Sequence, residues 1–184
     1  MTGSTKGIGL EIAKNFLKHD CFVGINGRNE AVTENVVQGL DSDKALNCFG
    51  DTTNPDDVKK IINTFIEKFK KIDILICNVG SGRSVKPGSE DLKEWNRMLS
   101  INLLSSIYTV EVARDLLIQS KGVIICISSI CGNEVIPGAP VAYSAAKAAL
   151  NSFIKTSARP LGNLGIRINA IAPGNIIFEN SVWD

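Results

Sequence analysis

Tyr143 and Lys147 stand four residues apart in a segment that reads as a helix from Pro140 to Leu161, so their side chains share one face. An ammonium beside a phenol favours the phenolate, which makes the phenol a usable acid. Bringing a phenol from about 10 to near 7 takes roughly 4 kcal/mol of differential stabilisation. By itself the pair is a weak signal, because Tyr and Lys at this spacing commonly mark helix surface only. A second candidate lies at the other end of the chain, in Met1-Thr2-Gly3-Ser4-Thr5-Lys6-Gly7-Ile8-Gly9. Gly3 can take backbone angles closed to other residues, Gly7 leaves no side chain between backbone and ligand, and Gly9 allows a helix to pack closely on a strand. Ile8, Ile12 and Phe16, with Ala13 and Leu17 beside them, form an apolar stripe at helical spacing. The free N–H groups and positive dipole end of that helix then face the glycine loop, where an anion belongs. Lys6 precedes Gly7 rather than following the last glycine with Ser or Thr behind it, which disfavours a nucleoside triphosphate.

Elements able to position these groups recur along the chain. Strands are read at Cys21–Asn26, Ala45–Phe49, Ile72–Cys77, Gly122–Ser128 and Ile166–Ala172. Between them run helices after the glycine loop, over Ala31–Leu40, from Asn54-Pro55 through Phe69, from Glu90 through Leu117, and from Pro140 to Leu161. Such alternation predicts a doubly wound α/β fold, a parallel sheet with helices on both faces and its ligand beyond the carboxyl ends of the strands. Ser129 falls just past one such strand end, where a hydroxyl can meet a substrate oxygen as charge develops.

The 184 residues, 44% of them hydrophobic, suit one domain spanning 1–184. A net charge of +1 with no long charged block argues against nucleic acid or a membrane surface as partner and leaves a small molecule. Cys21, Cys48, Cys77, Cys126 and Cys131 lie in or beside strand-like stretches without metal-ligand spacing. They read as reduced cytoplasmic core thiols, with no metal expected. His19, the single histidine, sits in a polar turn and reads as surface.

Taken in order, these residues resemble the short-chain dehydrogenase/reductase family of the single-domain kind. Thr2, Gly3, Gly7 and Gly9 match its TGxxxGxG pattern, and Asn78-Val79-Gly80 approximates its Asn-Ala-Gly turn. Asn102 matches its helix asparagine, Ser129 its Ser-Ser-x-x-Gly serine, Tyr143 to Lys147 its YxxxK, and Pro173-Gly174 its late turn. The resemblance implies a Rossmann-like fold and a catalytic set of Asn102, Ser129, Tyr143 and Lys147, with Asn102 helping to hold a water beside the lysine. Ser129 is preferred over Ser128 by its position relative to Gly132, and adjacent strand residues face opposite ways. Cofactor contacts are expected from Gly3, Ser4, Thr5, Lys6, Gly7, Ile8, Gly9, Arg28, Asp51, Thr52, Asn78, Gly80, Tyr143, Lys147, Pro173, Gly174 and Ile176. Gly27-Arg28 stands where a ribose-binding acid would signal NAD, so with Lys6 it points to NADP(H).

The implied activity is hydride transfer between nicotinamide and a carbonyl or alcohol, similar to that of 3-oxoacyl-carrier-protein reductases, in a homodimer or homotetramer. Cys77, Val79 and Phe178 depart from the family pattern. Two other readings are a catalytically silent nucleotide-binding or oligomerisation protein and, less favoured, a sugar epimerase or dehydratase, whose relatives usually show TGxxGxxG. Measured against the family, the first strand and the C-terminal part are expected to be missing, which would leave residues 1–184 alone poorly folded and inactive.

Overall fold

The computed structural model describes residues 1–177. Its elements run α1 (Gly7–Lys18), β1 (Val23–Ile25), α2 (Glu30–Gly39), β2 (Ala45–Asn47), α3 (Pro55–Phe69), β3 (Ile74–Cys77), α4 (Leu92–Leu99), α5 (Ser105–Ser120), β4 (Val123–Ile127), α6 (Val141–Asn163) and β5 (Arg167–Ile171). Local chemistry starts several helices. Asn29 caps α2 by accepting from the Val32 N–H, and Asp91 caps α4 by accepting from Glu94. Asn54 caps α3, where Pro55 fills the first position and Asp56 and Asp57 meet the dipole.

All strand pairing is parallel, as expected for crossovers through helices. β1 pairs with β2 in one sheet, and β3, β4 and β5 form another in that order. Met1–Ser4 lies between the two and bonds to both. The Met1 ammonium donates to Gly24 O at 3.0 Å, the Thr2 N–H to Ile76 O at 2.9 Å, and the Ser4 N–H to Asn26 O at 2.8 Å. The resulting layout is the expected doubly wound α/β arrangement, divided into two hydrogen-bonded sheets rather than one.

The larger core sits between β3–β5 and helices α3, α5 and α6, around Val58, Leu75, Leu117, Ile124, Leu150 and Ile166. A smaller core gathers Ala13, Val23, Ile25 and Ala45. Phe16 and Leu17 pack against that smaller core, whereas Ile8 and Ile12 are only half-buried. The apolar stripe expected on α1 is therefore partly uncovered among the described residues. Together with Leu10, Phe16 and Ile177, Ile8 and Ile12 border an apolar hollow of about 980 Å³.

The helix expected from Glu90 through Leu117 is in fact broken into α4, a π-helical turn at Ser100–Leu104, and α5. Asn102 accounts for the break. Its side-chain amide donates to Met98 O, the carbonyl four residues earlier that a regular helix would bond through the Asn102 backbone N–H. Three cysteines fall in the interior, where burial pushes the Cys48 thiol up to about 11. Cys77 faces Cys126 across the β3–β4 ladder, and their hydrogen bond, with burial, holds Cys77 well above its ordinary value.

Candidate active site

The glycine turn is built tightly. Gly3 and Gly7 both have positive φ, +59° and +55°, and a Cβ on Gly9 would lie 2.3 Å from Gly3 O. Asn26, at the end of β1, organises the turn from below. Its Oδ1 accepts from the Gly3 N–H at 3.1 Å, and its amide nitrogen donates to Cys48 O and Gly50 O at 2.9 and 3.1 Å. Sequence reading missed Asn26, although a polar residue closing an apolar strand was a usable signal. Asn78 does similar work from β3, donating to Gly3 O at 2.8 Å and Thr2 O at 3.2 Å.

Ser129, Tyr143 and Lys147 converge at the other end. Ser129 follows β4, and its hydroxyl acts on the phenol of Tyr143, on the first turn of α6. Lys147 is 3% exposed and donates to Ile127 O at 2.9 Å, and burial pulls its ammonium down to about 8. Tyr143 moves the other way. Burial raises it above the ordinary phenol value, the Ser129 hydrogen bond opposes that rise, and the Cys131 thiol adds to it. The expected lowering of Tyr143 by Lys147 is thus not found in the chain alone. Desolvation of the phenolate wins, with the ammonium 5.9 Å from the ring centroid and bonded to a carbonyl.

Asn102 is fully buried, and its Oδ1 accepts from the Ser81 N–H at 2.8 Å. A Cβ on Gly80 would stand 3.0 Å from Lys147 Nζ and 3.1 Å from Asn102 Oδ1, so both polar groups meet at this bare stretch of backbone. The helix carrying Tyr143 begins at Pro140 without a side-chain cap of its own. Glu90 supplies one from the loop after β3, accepting from the Val141 N–H at 2.7 Å and the Ala142 N–H at 3.4 Å. Burial works against its charge, yet backbone donors at Glu90, Val141, Gly88 and Ala142 hold it below the usual carboxylate range. This cap had no sequence signal, because Glu90 and Val141 belong to different elements.

One cleft of about 790 Å³ joins the two ends beyond the strand termini. Its walls include Gly3, Thr5, Lys6, Ile8 and Gly9 from the turn, Arg28 after β1, Asp51 and Thr52 after β2, and Asn78 and Gly80 after β3. Ser129, Tyr143, Lys147, Pro173, Gly174 and Ile176 complete the expected set. Three expected residues do not line it. Ser4 is fully buried, its hydroxyl donating to Met1 O and accepting from the Asn26 N–H, so the side chain supports the turn from inside. Gly7 opens α1 away from the cleft wall, and Asn102 lies behind Gly80. Asn78 reaches the wall, but its amide nitrogen is committed to the turn. Asp51 reaches it with one carboxylate oxygen already accepting from the Thr53 N–H and hydroxyl. Phe178 lies outside the described residues.

Comparison with known proteins identifies the family. The family described as short chain dehydrogenase matches residues 1–180. An uncharacterized oxidoreductase of Staphylococcus aureus (strain MW2) is 32% identical over 177 residues, covering 96% of this chain and 76% of that protein. Short-chain dehydrogenase reductase 3a of Arabidopsis thaliana is 32% identical over 178 residues, covering 94% and 68%. Among solved structures, a short-chain dehydrogenase/reductase of unknown function from Caenorhabditis elegans, determined with cofactor, superimposes with a TM-score of 0.88 at 29% identity, covering 94% of this chain and 67% of that one. An alcohol dehydrogenase from the archaeon Thermococcus sibiricus, complexed with 5-hydroxy-NADP, gives 0.86 at 21% identity, covering 96% and 75%, and bears on the fold alone. A glycine turn, a serine after β4 and a Tyr–Lys pair on α6 facing one cleft, with these relatives, make this chain a member of the short-chain dehydrogenase family of oxidoreductases.

Proposed function

We propose that the protein is an NADP(H)-dependent carbonyl reductase, running in reverse as an alcohol dehydrogenase, with a small ketone or 3-oxoacyl thioester as substrate. The observation that carries this reading is the single cleft with a glycine turn and Arg28 at one end and Ser129, Tyr143 and Lys147 at the other. The residues present suit a dinucleotide. Gly3 and Gly9 leave the turn backbone bare, and α1 begins beside the cleft, with Ile8 and Gly9 of its first turn on the wall. When bound, the nicotinamide supplies or accepts the hydride, and its oxidised form adds positive charge to the site.

The chain's own groups then handle the oxygen. In reduction the Tyr143 hydroxyl gives its proton to the carbonyl oxygen, while the Ser129 hydroxyl donates a hydrogen bond to the same atom. Lys147 stabilises the phenolate that remains, and proton return runs past Lys147, Gly80 and Asn102 through a water. Desolvation of Lys147 and Tyr143 strengthens each of these interactions.

Selectivity for the 2′-phosphate rests on Gly27 and Arg28. Gly27 is boxed in: a Cβ there would lie 2.6 Å from Thr5 Cγ2 and 2.8 Å from Thr33 Oγ1, so a ribose-binding acid has no room without movement. Arg28 offers a guanidinium instead, and Lys6 a second cation. Arg28→Asp should weaken NADPH binding by about 10- to 100-fold, the value of a lost charge-assisted contact, and change NADH binding little. Titration of both cofactors checks it, and equal losses would reject the assignment. A cytoplasmic location, suggested by the unpaired thiols, and a homodimeric or homotetrameric state belong to the same reading. Sedimentation of the protein tests the latter.

A further inference from the structure

The reaction needs Ser129 and Tyr143 aligned, yet they stand on separate elements, one on the stretch after β4 and the other on α6. Tolerances for such groups are about 0.5 Å. A side chain outside the expected set spans the gap. Asn151 lies one turn beyond Lys147, and its Oδ1 accepts from the Ser128 hydroxyl at 2.6 Å. Its amide nitrogen donates to Asn133 Oδ1 at 2.9 Å. The two bonds bracket the turn from Ser129 to Gly132, gripping one residue on each side of it.

Packing reinforces the grip at Gly132. A Cβ there would lie 2.8 Å from Asn151 Nδ2, 2.8 Å from the Lys147 carbonyl carbon and 2.9 Å from its oxygen. The serine turn therefore rests directly on the backbone of the α6 turn between Lys147 and Asn151. Within the turn, the Cys131 N–H donates to Ser129 Oγ at 3.2 Å and the Gly132 N–H to Ser129 O at 3.0 Å, so any shift of the turn carries the serine with it.

We propose that Asn151 is a positioning residue, clamping Ser128 and Asn133 so that the Ser129 hydroxyl stays in register with Tyr143. The role rests on the carbonyl-reductase reading above, in which Ser129 and Tyr143 bond the same substrate oxygen. Asn151 touches neither reacting atom and acts through the serine turn.

The test uses the protein with Asn151→Ala, Ser128→Ala and the double variant. Turnover of a ketone should fall by about 10- to 100-fold in Asn151→Ala, the cost of misplacing a catalytic group, with NADPH affinity unchanged. The double variant should be no worse than Asn151→Ala alone, because that change already releases both arms, and Ser128→Ala, which releases one, should lose less. In alcohol oxidation the limb governed by Tyr143 should move to higher pH, since a displaced Ser129 no longer lowers the phenol. Unchanged turnover and pH profile would overturn the proposal, as would a turnover loss matched by lost cofactor binding with the pH limb in place. Asn133→Ala releases only the exposed arm, so it tests the clamp with a milder loss should Asn151→Ala fold poorly. Amide exchange across residues 130–134 supplies a readout independent of activity, expected to quicken about tenfold in Asn151→Ala. If the unaltered protein reduces no ketone, the carbonyl-reductase reading fails, and unchanged exchange would separately dismiss the clamp.

Discussion

Tyr143→Phe should reduce ketone turnover by about 10³-fold or more while NADPH binding stays within about twofold, because general acid catalysis supplies gains of this size and the ring itself is retained. The expectation follows from position. Tyr143 borders the cleft with Ser129, so on the proposed mechanism loss of its hydroxyl removes the proton donor and leaves the dinucleotide turn untouched. Stopped-flow measurement of single turnovers, beside a cofactor titration, separates the two effects. Retained turnover would remove Tyr143 as the acid.

Lys147→Met should cost about 10²–10⁴-fold in turnover and also change how stability depends on pH. Burial pulls the folded-state pKa of Lys147 to about 8, against 10.5 for an unburied lysine. Below about 8 the ammonium is charged in both states, and the fold carries the full desolvation cost. As pH rises from 8 toward 10.5, the unfolded chain holds the proton longer than the folded one, so the cost is relieved and stability rises. A full excursion between those values corresponds to about 3 kcal/mol. The stability of the unaltered protein relative to Lys147→Met should therefore grow across this range in denaturant unfolding. A flat difference would mean that Lys147 keeps an ordinary pKa. On the proposed mechanism that cost is offset by function, since Lys147 holds its cation beside Tyr143, where the phenolate would form.

What could be read from the sequence was whatever depends on neighbours along the chain. Tyr143 and Lys147 share a helix face by spacing alone, and Gly3, Gly7 and Gly9 mark a tight turn by their order. The strand and helix alternation carried the doubly wound topology, because apolar runs of strand length and amphipathic segments each declare themselves locally. Interactions that depend on distant partners could not be read that way. The π-helical turn arises when Asn102 bonds Met98 O and Ser81, and the apolar pattern of the flanking helices runs through it undisturbed. Ser4 looked like a ligand contact from its place in the glycine turn. Its hydroxyl faces Met1 O and the Asn26 N–H instead, a pairing set by how β1 meets the turn. Glu90 and Asn151 were invisible for the same reason, and Asn26 showed only as a polar residue closing an apolar strand: each takes its meaning from a backbone group or side chain on another element. The upward move of Tyr143 likewise reflects burial by the folded chain, which helix spacing does not report.

In the proposed reaction the cleft brings nicotinamide hydride to a carbonyl carbon while Tyr143 protonates the oxygen. The most direct test is to incubate the protein with NADPH carrying deuterium at the transferable position and a panel of small ketones and 3-oxoacyl thioesters, then locate the label by mass spectrometry. One deuterium on the carbinol carbon of the product alcohol, per cofactor oxidised, is expected from the unaltered protein, with the rate collapsing in Tyr143→Phe. Label transfer by Tyr143→Phe at the unaltered rate, or none to any substrate from a protein that binds NADPH, would contradict it.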